Sequence, residues 1–224
     1  MGFDNDRERV IVDAWDWQTR VLHWINALLV ITLMLLVIGK EGMELIGIEK
    51  SMRAPVKRLH AYIGYVFALF FILRIIWGFA GNRFARFSDI IPYRKEQRQA
   101  IWQNVRWYLS GFKGRPAGFT GHDPLASLFY IALFLVLISQ ALTGLLLSGL
   151  EFKMFPGVLF TGGLSSYARE ALEEALGTVH EFGFYFMLFF LAAHLAGLVV
   201  HEVKEKTGLF SSMIHGKKYF TRDR

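Results

Sequence analysis

Three histidines interrupt an otherwise apolar stretch near the end of the chain, GTVHEFGFYFMLFFLAAHLAGLVVHE, residues 177–202. They are His180, His194 and His201. An unsatisfied polar group in hydrocarbon costs several kcal/mol, so imidazoles in such a segment are expected to bind something. His194 follows His180 by 14 residues, and helical steps of about 100° bring both side chains to one helix face.

The segments that carry these histidines are long and apolar. The chain has 224 residues, of which 54% are hydrophobic and 16% aromatic, a composition typical of a membrane protein. About 20 helical residues cross about 30 Å of hydrocarbon. Four runs have roughly that length: 22–39, 59–80, 124–150 and 178–201. The sequence therefore predicts an all-α fold in which residues 1–224 form one integral membrane four-helix bundle.

Basic residues are distributed unequally between the segments that join these spans. The N-terminal segment, residues 82–121 and the C-terminal tail hold 17 of the 25 Lys and Arg residues, and the two other connections hold 7. Cytoplasmic segments carry the excess of Lys and Arg. We therefore expect both termini and residues 82–121 on the inner side of the membrane. The basic charge then reports topology and lipid contact, and no nucleic-acid partner is expected.

Local patterns predict elements between the spans. In the inner loop, YRKEQRQAIWQNVRWYLSGF, residues 93–112, predicts an amphipathic interfacial helix. Asp123 and Pro124 predict the N-cap and first residue of the third span. The segment SYAREALEEALG, residues 166–177, predicts a short helix that ends at Gly177. Pro55 predicts the end of the first outer connection, just before the second span.

The depths of the histidines form two pairs. The first span starts inside with His23, and the second starts outside with His60. His180 lies at the outer start of the fourth span, and His194 lies about 21 Å further along, at 1.5 Å per residue. His60 is thus expected near the depth of His180, and His23 near that of His194.

Two layers with one histidine from each of two helices suit two b-type haems, whose iron takes an imidazole on each side. A single histidine inside a membrane helix is more often a hydrogen-bonded packing residue, but four at two matched depths are harder to explain in that way. Zinc needs three or four ligands at one depth, which this arrangement does not supply. The absence of cysteine excludes disulfides, cysteine-ligated iron–sulfur clusters and covalent c-type haem.

Glycines and one arginine accompany the histidines within the spans. Small residues there allow a flat porphyrin to approach the backbone, and they equally serve ordinary helix packing. Arg74 follows His60 by 14 residues and is expected at the depth of the inner haem. Its guanidinium either pairs with a haem propionate or reaches the inner headgroups. The glycines are Gly64, Gly144, Gly183 and Gly197.

The remaining histidines have less specific positions. His201 lies beside Glu202 at the inner end of the fourth span, where it is either an interfacial residue favoured near a helix C-terminus or a proton-exchanging group for a quinone. His122, before the third span, is expected to be structural, as a loop or cap residue. His215 is expected to be a solvated residue of the tail.

Four segments cover almost the whole chain and carry a family resemblance. They are TRVLHWINALLV, RLHAYIGYVFALFFILRIIWGFAGNRFARFSD, GHDPLASLFYIALFLVLISQALTGLLLSG and HEFGFYFMLFFLAAHLAGLVVHEVKEKTGLFSSMIHGKKY. In this order they resemble bacterial cytochrome b561 and the b-type cytochrome subunits of nickel–iron hydrogenases, which are related to the membrane subunit of formate dehydrogenase.

The resemblance implies four core helices in the bacterial inner membrane that hold two b haems with bis-histidine ligation. Carried over by position, His60 and His180 ligate the outer haem, and His23 and His194 ligate the inner haem. This agrees with the pairing from depth. The resemblance also implies a subunit that passes electrons between a redox partner and membrane quinone, either ubiquinone or menaquinone. Some hydrogenase cytochromes have a fifth helix, and this chain has four spans.

The expected function is therefore electron transfer across the bilayer, with a periplasmic or membrane-anchored dehydrogenase, hydrogenase or c-type cytochrome as the partner. The sequence contains no dinucleotide-binding fingerprint and no nucleophile elbow. Three alternatives stay open: a stand-alone quinone-linked oxidase of superoxide, a ferric or cytochrome reductase, and a haem-free helical transporter or assembly protein whose histidines serve packing.

Overall fold

The computed structural model describes residues 9–113, 120–205 and 207–221. The fold is all-α, as predicted, with one small sheet added over these residues. The elements in chain order are β1 (Arg9–Asp13), α1 (Trp17–Leu45), α2 (Lys50–Ala80), α3 (Phe87–Ile90), α4 (Lys95–Leu109), α5 (Pro124–Phe152), α6 (Gly157–Thr161), α7 (Ser166–Glu205), α8 (Leu209–His215) and β2 (Lys217–Thr221).

Helices α1, α2, α5 and α7 correspond to the four predicted spans and are long and apolar enough to cross a membrane. Each of them extends beyond the span predicted from hydropathy. The reason is physical: a hydropathy window ends where the side chains become polar, whereas a helix in water continues until its backbone is capped. Thus α2 begins at Lys50 and contains Pro55 within its second turn, so the prediction that Pro55 precedes the helix was wrong.

The connection between α1 and α2 is a short turn that caps the C-terminus of α1. Gly47 has a φ of 78°, its N–H donates to the Glu44 carbonyl at 3.0 Å, and the Ile48 N–H donates to the Met43 carbonyl at 2.9 Å. These two bonds form a Schellman motif. The first outer connection, which was expected to end at Pro55, is therefore only four residues long, 46–49.

Gly177 does not end a helix. The prediction of a short helix over residues 166–177 followed by a separate span was wrong, because α7 continues through Gly177 for 40 residues. A glycine ends a helix when it adopts a positive φ, and Gly177 is not among the described residues that do so. A helical glycine costs only about 1 kcal/mol relative to alanine, which is too little to interrupt the good helix formers on either side.

The predicted amphipathic helix is confirmed as α4. One face of it is buried and contains Ala100, Asn104 and Trp107. The opposite face leaves Trp102 and Leu109 exposed. The Asn104 amide donates to the Asp123 carboxylate, while the same carboxylate caps α5 through the Leu125 and Ala126 N–H groups at 2.8 and 2.9 Å. The N-cap predicted at Asp123 is thus confirmed.

A two-stranded antiparallel sheet joins the two ends of the described chain. Strand β1 pairs with β2 in a register that sets Ile11 opposite Tyr219. Beyond the sheet, the Ala14 and Trp15 N–H groups both donate to the Gly216 carbonyl, at 2.9 and 3.0 Å. This sheet is not among the elements predicted from the sequence.

The chain divides into two compact units, whose boundaries fall within all four long helices. The terminal unit comprises Met1–Val21, Ile75–Ala132 and Phe190–Arg224, and the central unit comprises Leu22–Arg74 and Leu133–Phe189. The core of the central unit includes an aromatic stack, in which Phe71 lies 5.4 Å from Phe67 and 5.8 Å from Phe134 between ring centroids.

Within the terminal unit, Asp16 joins the start of α1 to the end of α2. Its Oδ1 accepts the Thr19 N–H at 2.8 Å, as an N-cap does. The carboxylate also accepts the Trp77 indole N–H at 3.2 Å and the Asn82 N–H at 3.1 Å. Burial raises the pKa of Asp16, but the hydrogen bonds from Thr19, Asn82 and Trp77 outweigh it, and the pKa lies below the ordinary 3.8.

Substitution of Asp16 tests this junction. We expect Asp16→Ala to lower the free energy of unfolding by about 1–3 kcal/mol, because it removes the cap of α1 and leaves the Trp77 N–H without its acceptor. Because folding lowers the pKa of Asp16, its contribution is fully present above the unfolded pKa near 3.8 and is lost as the pH falls below that value.

Thermal unfolding of the detergent-solubilised protein measures the effect, with the exposed carboxylate Asp13→Ala as the matched control. Equal unfolding temperatures for Asp16→Ala and Asp13→Ala at neutral pH would contradict the proposed role of this carboxylate.

Candidate functional site

Two of the histidines predicted to form a pair lie close together in the central unit. His60 belongs to α2 and His180 to α7. Their ring centroids are 6.2 Å apart, and the ring planes are inclined by 77°. These two residues are 120 positions apart in the sequence, so only the folded chain brings them together.

The separation of the two rings matches that of two imidazoles on one metal ion. Metal–imidazole bonds of about 2.0 Å, with about 1.1 Å from each nitrogen to its ring centre, set two opposed rings about 6.2 Å apart. A direct hydrogen bond between the rings requires a shorter separation, and a packing contact requires none in particular. The separation is therefore one at which a single metal ion fits between the two rings.

His180 has a polar partner on α5. Its Nδ1 lies 2.8 Å from the Thr143 hydroxyl oxygen, and Thr143 is only 6% exposed. A ligating histidine commonly has its other ring nitrogen held by such a hydrogen bond, which fixes the ring orientation.

His60 is held differently. Its Nδ1 is buried and makes no hydrogen bond of ordinary geometry with any described residue. The two rings thus differ in their supports: the Thr143 hydroxyl contacts the His180 ring, and no such contact holds His60 among the described residues.

The four predicted glycines serve different contacts. A Cβ on Gly144 would lie 3.3 Å from Cε1 of His180, so this glycine makes room for the imidazole. A Cβ on Gly183 would collide with the Gln140 side chain, which makes Gly183 a helix-packing position. Gly64 lies one turn after His60, and Gly197 lies three residues after His194. An added Cβ at either would meet no described atom within 4 Å.

Arg74 ends the central unit's portion of α2. Its guanidinium lies over the Phe134 ring, 5.5 Å from the centroid, a favourable cation–π geometry. Phe134 also stacks on Phe71, so the arginine is positioned by the aromatic core. This position is compatible with both the propionate and the headgroup interpretations.

The second predicted pair falls in separate units. His23 belongs to the central unit, where its ring contacts Trp24 at 5.2 Å between centroids. His194 belongs to the terminal unit, where it stacks on Phe190 at 5.7 Å and an 11° angle, with Tyr130 at 6.4 Å. The pairing of His23 with His194 stays a prediction.

His201 lies in an aromatic cluster at the end of α7. Its Nε2 lies 2.9 Å from the Tyr108 hydroxyl of α4, and its ring centroid is 5.7 Å from that of Trp107. A hydroxyl beside an imidazole nitrogen shares a proton with it. Tyr108 was not singled out from the sequence, because only the fold brings α4 to this end of α7.

The other two histidines have structural contacts. His122 pairs with Asp89, with Nδ1 and the backbone N–H both 2.9 Å from Oδ2, and its ring contacts Trp15 at 5.0 Å. His215 is exposed at the end of α8, where Nδ1 accepts the Lys217 N–H at 3.1 Å. Within residues 9–113, 120–205 and 207–221, no three His, Cys, Asp or Glu side chains gather as a metal site, so the zinc alternative gains no support.

Comparison with known families identifies the class of protein. Residues 14–216 match the family model described as prokaryotic cytochrome b561. The chain belongs to this family. Cytochromes of the b561 type are membrane cytochromes b. Membership of this chain in the family therefore implies that it is a multi-pass membrane protein that binds haem b.

Curated relatives match over nearly the full length of this cytochrome b561 family member. A probable Ni/Fe-hydrogenase B-type cytochrome subunit from Azotobacter vinelandii is 27% identical over 231 aligned residues, with 100% of this chain and 95% of that protein covered. The probable Ni/Fe-hydrogenase 1 B-type cytochrome subunit of Escherichia coli K12 is 28% identical over 211, with 88% and 86% covered. No solved structure matches.

The residues of this cytochrome fit a haem. The separation of the His60 and His180 rings accommodates iron between them, the Thr143 hydroxyl engages the Nδ1 of His180, and Gly144 leaves room beside that ring. Sequence reasoning missed Thr143, because a threonine in an apolar helix is common and only the contact with His180 distinguishes it.

Gly144→Ala tests the fit of the His180 ring. The added methyl group would press on Cε1 of His180, and we expect loss of about 1–2 kcal/mol of stability with a lower haem content. The measurement is the haem absorbance per protein together with the thermal unfolding temperature.

Gly177→Ala is the matched control, since an added Cβ there meets no described atom within 4 Å and the residue lies within α7. Equal haem content and stability in the two variants would show that the ring does not depend on the space at Gly144.

Proposed function

We propose that this chain carries electrons across the bilayer between a redox partner protein and the quinone pool, through two b haems. One haem would be held by His60 and His180, and the other by His23 and His194. The observation that carries the proposal is the 6.2 Å separation of the His60 and His180 rings on two different helices. Membership in the cytochrome b561 family supports it.

Haem supplies a one-electron step between the ferric and ferrous states of its iron. The residues decide what else the site does. His60 and His180 would hold the iron with two imidazoles and would leave it no position for oxygen or a substrate, which favours electron transfer. Apolar side chains of the central unit would keep water from a haem bound there and so restrict exchange of protons.

Other residues of the chain complete the proposed cofactor sites. Gly144 makes room for the His180 imidazole. Gly64, one turn after His60, and Gly197, three residues after His194, would let a porphyrin approach the helix backbone. Arg74 is proposed to neutralise a haem propionate, because a cation stacked on Phe134 in a membrane helix is stabilised by an anionic partner.

A hydrogenase is the partner that we propose first. The matched relatives from Azotobacter vinelandii and Escherichia coli are named as probable Ni/Fe-hydrogenase subunits. The basic residues favour cytoplasmic termini in a bacterial inner membrane, which places His60 and His180 near the outer side. We therefore infer a partner on the periplasmic side. Electrons from that side would enter at the His60–His180 haem, and quinol oxidation would reverse the direction.

The quinone is proposed to exchange protons near His201. Its contact with the Tyr108 hydroxyl forms a pair that can donate and accept a proton at the end of α7. Reduction of either ubiquinone or menaquinone consumes protons as well as electrons, so a titratable pair is needed where the quinone binds.

Haem stoichiometry tests the two-haem proposal. We expect two b haems per purified chain in a pyridine haemochrome assay, and one in each of His60→Ala and His180→Ala. Because these two residues share one haem, the double variant His60→Ala/His180→Ala should also retain one. By contrast, His60→Ala/His194→Ala should retain none.

His215→Ala is the control, since this exposed histidine of α8 lies outside both pairs, and it should retain two haems. Absence of haem from the wild-type chain would refute the proposal. Retention of one haem by His60→Ala/His194→Ala would refute the pairing alone.

The partner is tested in native membranes. Hydrogen gas should reduce the b haems of the wild-type chain, and His180→Ala should reduce the rate of hydrogen-dependent quinone reduction at least tenfold, because it removes one of the two iron centres in series. Haem spectra and quinol formation are measured together, with His215→Ala as the control. Hydrogen-independent superoxide oxidation by the purified chain alone would instead favour a stand-alone oxidoreductase.

A further inference from the structure

Thr143 is the residue of the site that neither the family membership nor the ligand pairing explains. It lies on α5, which provides none of the proposed axial ligands. It is nevertheless buried, and its hydroxyl oxygen is 2.8 Å from Nδ1 of His180. This contact joins α5 to the helix that carries the ligand.

The direction of this hydrogen bond follows from the other contacts of the hydroxyl. The Thr143 oxygen lies 2.7 Å from the Ser139 carbonyl and 3.3 Å from the Gln140 carbonyl. A hydroxyl has one hydrogen, and a carbonyl can only accept. Ser139 is the shortest of these contacts, and with the Thr143 hydrogen donated there, the hydroxyl oxygen accepts from Nδ1 of His180.

The protonation of the His180 ring follows in turn. If the Thr143 oxygen accepts, Nδ1 of His180 carries the hydrogen, and Nε2 of the neutral ring has the free electron pair. Nε2 is then the nitrogen available to iron. Gly144, the next residue of α5, leaves room for Cε1 between these two nitrogens. Adjacent residues of one helix thus fix both the tautomer and the place of the ring.

We propose that Thr143 is a positioning residue that fixes the Nδ1–H tautomer of His180 and sets the reduction potential of the His60–His180 haem. A hydrogen bond from Nδ1 raises the basicity of an imidazole ligand, and a more basic ligand stabilises ferric over ferrous iron. A neutral hydroxyl that already donates to Ser139 polarises the ring more than a hydrocarbon does and less than a carboxylate does. This inference rests on the proposed function, because it needs haem at the site.

Redox titration of the purified holoprotein tests the inference, with the His60–His180 haem identified as the one absent from His60→Ala. In Thr143→Val, which conserves shape and removes the acceptor, we expect the potential of that haem to become more positive while the other haem is unchanged. Thr143→Ser, which keeps the hydroxyl, should restore the wild-type value. If Thr143 acted only through packing, valine, which has nearly the same shape, would keep the wild-type potential better than the smaller serine. The opposite order therefore identifies the hydroxyl as the cause.

Thr32→Val is the matched control. Thr32 of α1 also bonds the carbonyl four residues earlier, Leu28 at 2.8 Å, but it is exposed, and both potentials should stay at the wild-type values. If Thr143→Val loses the haem, Thr143→Cys takes its place, because a thiol keeps a side chain there and is a weaker acceptor.

The outcomes separate this inference from the proposed function. Two haems in the wild-type chain and an unchanged potential in Thr143→Val, or in Thr143→Cys where valine loses the haem, would overturn the role of Thr143 and leave the proposed function standing. A wild-type chain without haem would overturn the proposed function itself. A shift of both potentials together would also contradict the inference, because the hydroxyl contacts only the His180 ring among the proposed ligands.

Discussion

The distance between the His60 and His180 rings is the constraint on which the rest of the account depends. Two imidazoles on separate helices, held 6.2 Å apart at 77°, leave the space of one metal ion between them. Each ring is positioned by its own helix, and the His180 ring is held in addition by the Thr143 hydroxyl. If the rings moved together by about 1 Å, no space for a metal ion would remain between them, and an electron-transfer function would lose its structural basis.

Several hydroxyl groups in the membrane helices donate to a carbonyl of their own helix. In the central unit, the Ser148 hydroxyl donates to the Leu145 carbonyl at 2.8 Å and so is free to accept the Tyr65 hydroxyl at 2.6 Å. Thr143 uses the same arrangement toward His180. A hydroxyl that donates within its own helix becomes an acceptor for a neighbouring helix, which allows helices to be joined at low cost in hydrocarbon.

The sequence predicted the four long helices, the amphipathic helix α4 and the cap at Asp123, because these depend on local composition and capping chemistry. It failed at Gly177 and Pro55, where a residue that often ends a helix is accommodated inside one. The sheet between β1 and β2, the Thr143 contact and the Tyr108 contact join residues far apart in sequence. No local signal marks such contacts. The separation of the His60 and His180 rings agrees with their predicted pairing by depth, which had only helix geometry and topology as its basis.

Electron paramagnetic resonance of the oxidised, purified protein tests the central claim most directly. Two axial imidazoles in nearly perpendicular planes give ferric haem a highly anisotropic low-spin signal, and the 77° between the His60 and His180 rings predicts such a signal in the wild-type chain. This component should disappear in His180→Ala, which keeps only the low-spin component of the other haem, and both components should persist in His215→Ala. A high-spin signal at this site in the wild-type chain, or a His180→Ala spectrum with both low-spin components unchanged, would contradict ligation of one haem by this pair.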